Sequence, residues 1–274
     1  MIEETLVVPA AGKHAIEVMA LAVEWGKPIG AEVFGEISSV YERSDVLRAF
    51  LPRVEQIQGV SLHFSDQGPA FSAGQPQGVQ WSQHKDDGSL NWVVHIRSDL
   101  LSVSCMAYDR WNTIKPQALE VLSPIVDLVT TLGYPMQAVG LQYQDAFRVQ
   151  TPSVKHATET LLLAESPWLS PRIWREEGPW HAHQGWFSSG LGGRLVHNLL
   201  NVDAVVEAAE CVFRINGQHR MLVLGAKGQG SLPLMPADVS SSLENLHTVN
   251  KRVLVDLLAE AVRTQIGLYV SEDS

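Results

Sequence analysis

The stretch Val79–Met106, VQWSQHKDDGSLNWVVHIRSDLLSVSCM, decides the fold class. Three apolar runs, Val79–His84, Leu90–Ile96 and Leu100–Met106, are separated by Asp87-Gly88 and Ser98-Asp99. Asp-Gly between apolar runs is the signature of a type I′ hairpin, because both central positions require positive φ. In the third run Leu101, Val103 and Cys105 alternate with Ser102, Ser104 and Met106, which gives a strand one buried face. The stretch therefore reads as an antiparallel meander.

Upstream, His14–Trp25 is rich in Ile, Val, Met and Leu and ends at Gly26-Lys27-Pro28. It reads as a strand, with helix as the alternative because of its alanines. Apolar residues continue through 30–41 at Val33, Phe34, Ile37 and Val40. Ser44 or Asp45 caps a short helix through Phe50, limited by Pro52. Residues 66–77, full of Gly, Pro, Gln and Ser, read as a loop. Downstream, Tyr108, Trp111, Leu119, Leu122, Ile125, Val126 and Val129 recur at helical spacing. An internal proline removes a hydrogen bond and kinks a helix, so Pro116 predicts a break near Lys115 and Pro124 a kink near Ser123. Gly133 and Pro135 end the element, and Val139–Val149 is a further strand.

Residues 151–193 read as irregular, with a short helix at 156–164 and prolines at 152, 167, 171 and 179. They hold four of the eight tryptophans. Arg194–Val206 is a strand. Glu210–Ile215 and Gln218–Leu224 flank Asn216-Gly217, the strongest hairpin dipeptide. After a Gly/Pro loop, Gly225–Pro236, the pair Ser241-x-x-Glu244 has the spacing of a capping box. Leu243, Leu246, Val253, Leu254, Leu257, Leu258, Ala261 and Val262 form the apolar stripe of a long helix, which Gly267 closes. The expectation is an α+β fold with antiparallel sheet and two long helices. Its order suggests a duplicated hairpin-plus-helix unit: residues 1–150 as a meander-plus-helix half, 151–193 as a Pro/Trp-rich connecting segment, and 194–274 as a hairpin-plus-helix half.

A chain of 274 residues buries roughly three quarters of its unfolded surface, so a core needs no metal or disulfide staple. Asp and Glu outnumber Lys and Arg by 30 to 20, which disfavours nucleic acid, whose binding draws on cationic side chains. Cys105 and Cys211 sit in apolar runs outside any Cys-x-x-Cys pair. They read as small buried thiols of a reducing compartment. The start, Met1-Ile2-Glu3-Glu4-Thr5, lacks the basic opening of a signal peptide. No run of about 20 apolar residues spans a bilayer. The location expected is the cytoplasm.

No motif forces a reaction. His181-Ala182-His183 has the spacing of a metal pair, but a catalytic zinc needs a third protein ligand. Asp203, His197 and His219 are candidates that the spacing does not bring near. Gly225–Gly230 resembles a phosphate loop, yet lacks the Gly-Lys-Ser/Thr opening into a helix. Ser188–Gly193 lacks the Gly-x-Ser-x-Gly order of a nucleophile elbow. Asp99, Asp203 and Glu207 carry no lysine at nuclease spacing. The most informative feature is the set Trp168, Trp174, Trp180 and Trp186 with Arg172 and Arg175. These aromatics either fold back as a lid over the sheet or anchor a protein partner, since Trp and Arg dominate binding hot spots.

Four segments, AIEVMALAVEWGKPI (15–29), WVVHIRSDLLSVSCMAYDRW (92–111), VGLQYQDAF (139–147) and LHTVNKRVLVDLLAEAV (246–262), resemble a sporadically distributed bacterial family of unknown function. The shared points are Tyr108 and Trp111, Leu141 and Tyr143, and Leu246 and His247. Gln142-Tyr143 stands where that family has Arg-Tyr. Sporadic occurrence implies a role in immunity, as an antitoxin or in phage defence, and carries over no catalytic residue. The reading is a non-enzymatic protein-binding module without cofactor: immunity- or antitoxin-like, or a subunit of a bacterial defence complex. The alternatives are a metal-assisted hydrolase built on His181, His183, Arg194, His197 and Asp203, or a structural subunit of a phage or secretion assembly.

Overall fold

The computed structural model describes residues 6–65, 68–225 and 230–269. The fold is α+β. Strand outweighs helix, 41% to 35%, so a large antiparallel sheet is the dominant element. The chain divides into two compact units: Met1–Met19, Val139–Leu232 and Asp238–Ser274 in the first, Ala20–Ala138 and Pro233–Ala237 in the second. Among the described residues no helix is long and apolar enough to cross a membrane.

In the second unit the strands run in the order β3 (Arg53–Ser65), β4 (Gly68–His84), β5 (Leu90–Arg97), β6 (Leu100–Cys105) and β2 (Ile16–Trp25). Leu21, Val23 and Trp25 of β2 point inward, as do Leu101, Val103 and Cys105 of β6. Residues 68–77 belong to β4 and pair with β3, so most of the expected loop is strand. Residues 66–67 lie outside the described residues. The β4–β5 turn is also not type I′. Only Gly88 has positive φ, 83°. Gly88 N donates to the Lys85 carbonyl at 2.9 Å and Lys85 N to that of Ser89 at 2.8 Å. This is a type I turn followed by a left-handed glycine. The Asp87 carboxylate accepts from Ser89 N and Oγ at 2.8 and 2.6 Å, which lowers its pKa.

Helices α1 (Ala31–Arg43) and α2 (Asp45–Phe50) meet at Ser44, whose hydroxyl accepts from Leu47 N at 3.2 Å as the cap of α2. Helix α3, Trp111–Thr131, runs unbroken through Pro116 and Pro124. The expected break near Lys115 does not occur. Both prolines, and the Asn112 and Glu120 carbonyls whose bonds they remove, lie on the exposed side, where water replaces the lost donor. Gly133 at φ 86° ends α3 in a Schellman motif, with Gly133 N on Thr130 O and Tyr134 N on Val129 O.

The first unit carries β7 (Met136–Val149, from Val139), then β10 (Glu210–Gly225), β9 (Arg194–Glu207) and β8 (Trp180–Ser189), with β1 (Val7–Pro9) on β7. Its helices are α4 (Val154–Leu161), α5 (Val239–Leu257) and α6 (Glu260–Gln265). Four expectations fail here. The stretch read as irregular, 151–193, contains β8. Asn216-Gly217 is no turn: β10 passes straight through it, with Asn216 opposite Asn201 and Gly217 opposite Leu200. The β9–β10 reversal falls at Ala208, in the left-handed region at φ 57°. Gly217 is required for another reason, since a Cβ there would lie 2.5 Å from Asn250 Oδ1 on α5. Nor is Ser241 the cap of α5. The helix begins at Val239 after Asp238, and Ser241 Oγ donates to the Asp238 carbonyl at 3.0 Å. The expected apolar stripe splits between two helices, because α5 ends at Leu257 and Ala261 and Val262 belong to α6.

The core of this unit packs Val154, Ala157 and Leu161 of α4 and Val253, Leu254 and Leu257 of α5 against Leu200, Val202, Phe213 and Ile215 of the sheet. Each large side chain buried there stabilises by about 1.5–3 kcal/mol. Cys105 and Cys211 are free and buried, and burial raises both thiol pKa values.

Candidate functional site

Strand β8 is the last in its order and pairs only with β9 among the described residues. Its side chains alternate cleanly. Trp180, Ala182, Gln184, Trp186 and Ser188 face inward, and His181, His183, Gly185, Phe187 and Ser189 are exposed. The tryptophans expected as one partner-binding set divide accordingly. Trp180 is a core residue, 9% exposed; its indole N–H donates to Thr158 Oγ1 at 3.1 Å and its ring meets Phe213 edge-on. Trp168 and Trp186 stack at 4.3 Å and, with Trp174, pack half-buried against the same core. Arg172 and Arg175 lie on the exposed side of the 3₁₀ turn Pro171–Arg175, where Arg172 pairs with Glu176 at 2.7 Å.

The outward face of β8–β9–β10 is half-exposed and polar, organised in rows across the strands. In one row His181 Nδ1 meets Asp203 Oδ1 at 2.5 Å, and Arg214 stands opposite Asp203. Arg214 donates to Glu207 at 2.8 Å, a bond that raises its pKa further. In the next, His183 Nδ1 contacts Asn201 Oδ1, Asn216 stands opposite Asn201, and Gln142 of β7 donates to Asn216 at 3.2 Å. In a third, Phe187 stacks on His197 at 4.8 Å, with Arg220 beyond. Phe187 is 61% exposed, the largest apolar side chain left to solvent on this face.

The inward face carries a second polar set, entirely covered. His219 and Asn198 are 0% exposed and Asn250 is 5%. His219 Nδ1 donates to Asn198 Oδ1 at 2.8 Å, while Nε2 contacts the Asn250 side-chain amide at 3.1 Å. Asn198 Nδ2 donates to Ser188 Oγ at 3.0 Å. Burial pushes His219 down to about 4, against the opposing Asn250 contact. Beside this set Tyr143 Oη meets His247 Nδ1 at 2.9 Å. In the same unit Asp145 of β7 is buried and pushed up to about 7, by desolvation first and by the Glu17 charge second.

The candidate third ligands for His181 and His183 are therefore not assembled. Asp203 is spent on His181 Nδ1, His197 sits in the Phe187 row, and His219 is on the opposite face. Among the described residues no three or more His, Cys, Asp and Glu side chains are grouped to hold a metal. Arg194 reaches Asp238 at 3.1 Å and the Leu232 carbonyl at 3.4 Å, which ties the start of β9 to the start of α5. Ser188 accepts from Asn198. Asp99 stands in the β5–β6 turn of the second unit, and Glu207 is paired with Arg214. The loop residues 226–229 lie outside the described residues. Phe187, Asn201, Asn216 and Gln142 were missed in the sequence. Their signal was the period of two through His181, His183 and Phe187, masked by the prolines before it. No protein-family model matches the chain, and no curated protein matches it either.

Proposed function

We propose that this chain is a protein-binding module that engages its partner through the exposed edge and outward face of β8. The observation that carries this reading is the combination, on one edge strand, of backbone donors and acceptors without a neighbouring strand among the described residues and an exposed aromatic, Phe187. An extended segment that adds to a sheet edge gains main-chain hydrogen bonds, and alternate side chains supply specificity. On the inward side of the same strand Trp186 stacks on Trp168, and Trp174 packs half-buried against the core; with Arg172 and Arg175 they are the further candidates for this surface. The immunity, antitoxin or defence-complex role implied by the family resemblance is the narrower form of this proposal. The test is affinity purification from the native cells, followed by titration of the captured partner against Phe187→Asp and Trp174→Ala. A loss of affinity of 10-fold or more for Phe187→Asp, with an unchanged melting temperature, supports the reading. Undiminished affinity rules out β8.

We also infer that the chain carries a duplicated unit. Two orders support it: β2, α1–α2, then β4, β5, β6 and α3; and β7, α4, then β8, β9, β10 and α5. Within each unit the strands lie in the corresponding sequence, 4-5-6-2 and 8-9-10-7. The long helices α3 and α5 would be equivalents. Superposition of β4–β5–β6–α3 on β8–β9–β10–α5 tests this, and failure of the helices to coincide rejects it.

A further inference from the structure

His181 and His183 project from the same face of β8, two residues apart, with ring planes 20° from parallel and centres 6.5 Å apart. Each ring is held at Nδ1 by an oxygen of β9: His181 by the Asp203 carboxylate at 2.5 Å, His183 by the Asn201 side-chain oxygen. Both oxygens only accept. Each Nδ1 therefore carries the hydrogen of the neutral ring, and each Nε2 keeps its lone pair. This is the arrangement that prepares a histidine for metal: one nitrogen bonded to an oxygen acceptor that fixes tautomer and orientation, the other available as ligand.

We propose that His181 and His183 bind a divalent first-row cation of the Zn²⁺, Ni²⁺ and Cu²⁺ class through their two Nε2 atoms, with Asp203 and Asn201 as positioning residues. Imidazole suits these ions, whereas Mg²⁺ and Ca²⁺ take oxygen donors. An ion at about 2.1 Å from each nitrogen requires the Nε2 edges to tilt toward each other from their present spacing. Both side chains lie on the exposed face of β8, and a pivot of each ring about its Nδ1 contact supplies this tilt. The described residues supply these two donors without a third, so water or a donor from a bound molecule completes the coordination. The site is thus an exchangeable surface site and not a closed structural one. It rests on the geometry of β8 and β9 and stands or falls separately from the partner-binding reading.

The test is isothermal titration of the untagged full chain with ZnSO₄ and, in parallel, NiSO₄. One saturable equivalent is expected. His181→Ala and His183→Ala should each weaken it at least 10-fold. Asp203→Ala should weaken it by about 10-fold or more, the usual cost of losing an outer-shell partner, and His197→Ala should leave it unchanged. Circular dichroism on each variant confirms the fold. No saturable binding, or a loss with His197→Ala equal to that with His183→Ala, would overturn the assignment. So would an Asp203→Ala variant of wild-type affinity, which would reduce the pair to ordinary surface histidines. Partner affinity measured in EDTA separates the two proposals, because the Phe187 surface then acts alone.

Discussion

The two faces of β8–β9–β10 use the same residue types to opposite ends. On the inward face Asn198, His219 and Asn250 form a closed set under α5, and the ring is driven toward neutrality by burial. On the outward face His183, Asn201 and Asn216 occupy a row across three strands, and the histidine faces solvent. Side chains alternate along a strand, so a shift of one residue separates a histidine spent on fixing structure from one available for chemistry. A buried polar group must find its partner inside the protein, and losing that partner costs more than the bond contributed. An exposed one loses little, because water replaces the partner.

The comparison breaks most sharply on β8 itself. Trp180→Ala empties a core site and removes the indole N–H bond to Thr158 Oγ1, which keeps its own bond to the Val154 carbonyl, and is expected to cost about 3–5 kcal/mol. Phe187→Ala, seven residues along the same strand and facing out, should stay within about 0.5 kcal/mol. Urea denaturation of both variants measures the difference, and equal losses would place Phe187 in a packed interface. A smaller contrast lies between the asparagines. Asn198→Ala leaves the His219 N–H buried without its acceptor, for about 1–3 kcal/mol. Asn201→Ala, on the outward face, should cost a few tenths of a kcal/mol.

The smallest net effect in the wild-type protein is in pH, where two buried groups oppose each other. His219 falls from 6.5 to about 4 on folding, so between those values the unfolded chain binds the extra proton and stability drops as pH falls. Asp145 rises from 3.8 to about 7. Between those values the folded chain keeps the proton, so stability drops as pH rises. A tenfold change in proton affinity corresponds to about 1.4 kcal/mol, and because the two contributions oppose each other the wild-type profile between pH 4 and 6.5 should be shallow. Asp145→Asn should uncover a stability that rises with pH across this window, and His219→Gln one that falls. Denaturant midpoints at pH 4.5, 5.5, 6.5 and 7.5 measure both slopes, and variants that keep the wild-type profile would show that neither group titrates as its burial implies.

Much of the fold was legible where local signals and tertiary packing agree. The alternation in β6, the Ser44 cap and the glycines after α3 and α6 each satisfy a need that lies within a few residues. The candidate site was half legible. His181 and His183 were visible as a spaced pair, but their partners Asp203 and Asn201 arrive from β9 about twenty residues away, through a register no local pattern fixes. The tryptophans were visible as a group and fell on different sides of the packing, with Trp180 in the core and Trp186 at its margin.

By itself the sequence determined the antiparallel α+β character, most strand and helix centres, and the presence of a His-x-His pair on a tryptophan-rich segment, because side-chain alternation and capping act over short range. Only the tertiary structure decided that Gly217 serves the approach of α5 instead of a turn. The same holds for the unbroken course of α3, whose prolines face water, and for which histidines are covered. Those outcomes depend on what packs against each residue, and that contact is made by segments far away in the chain.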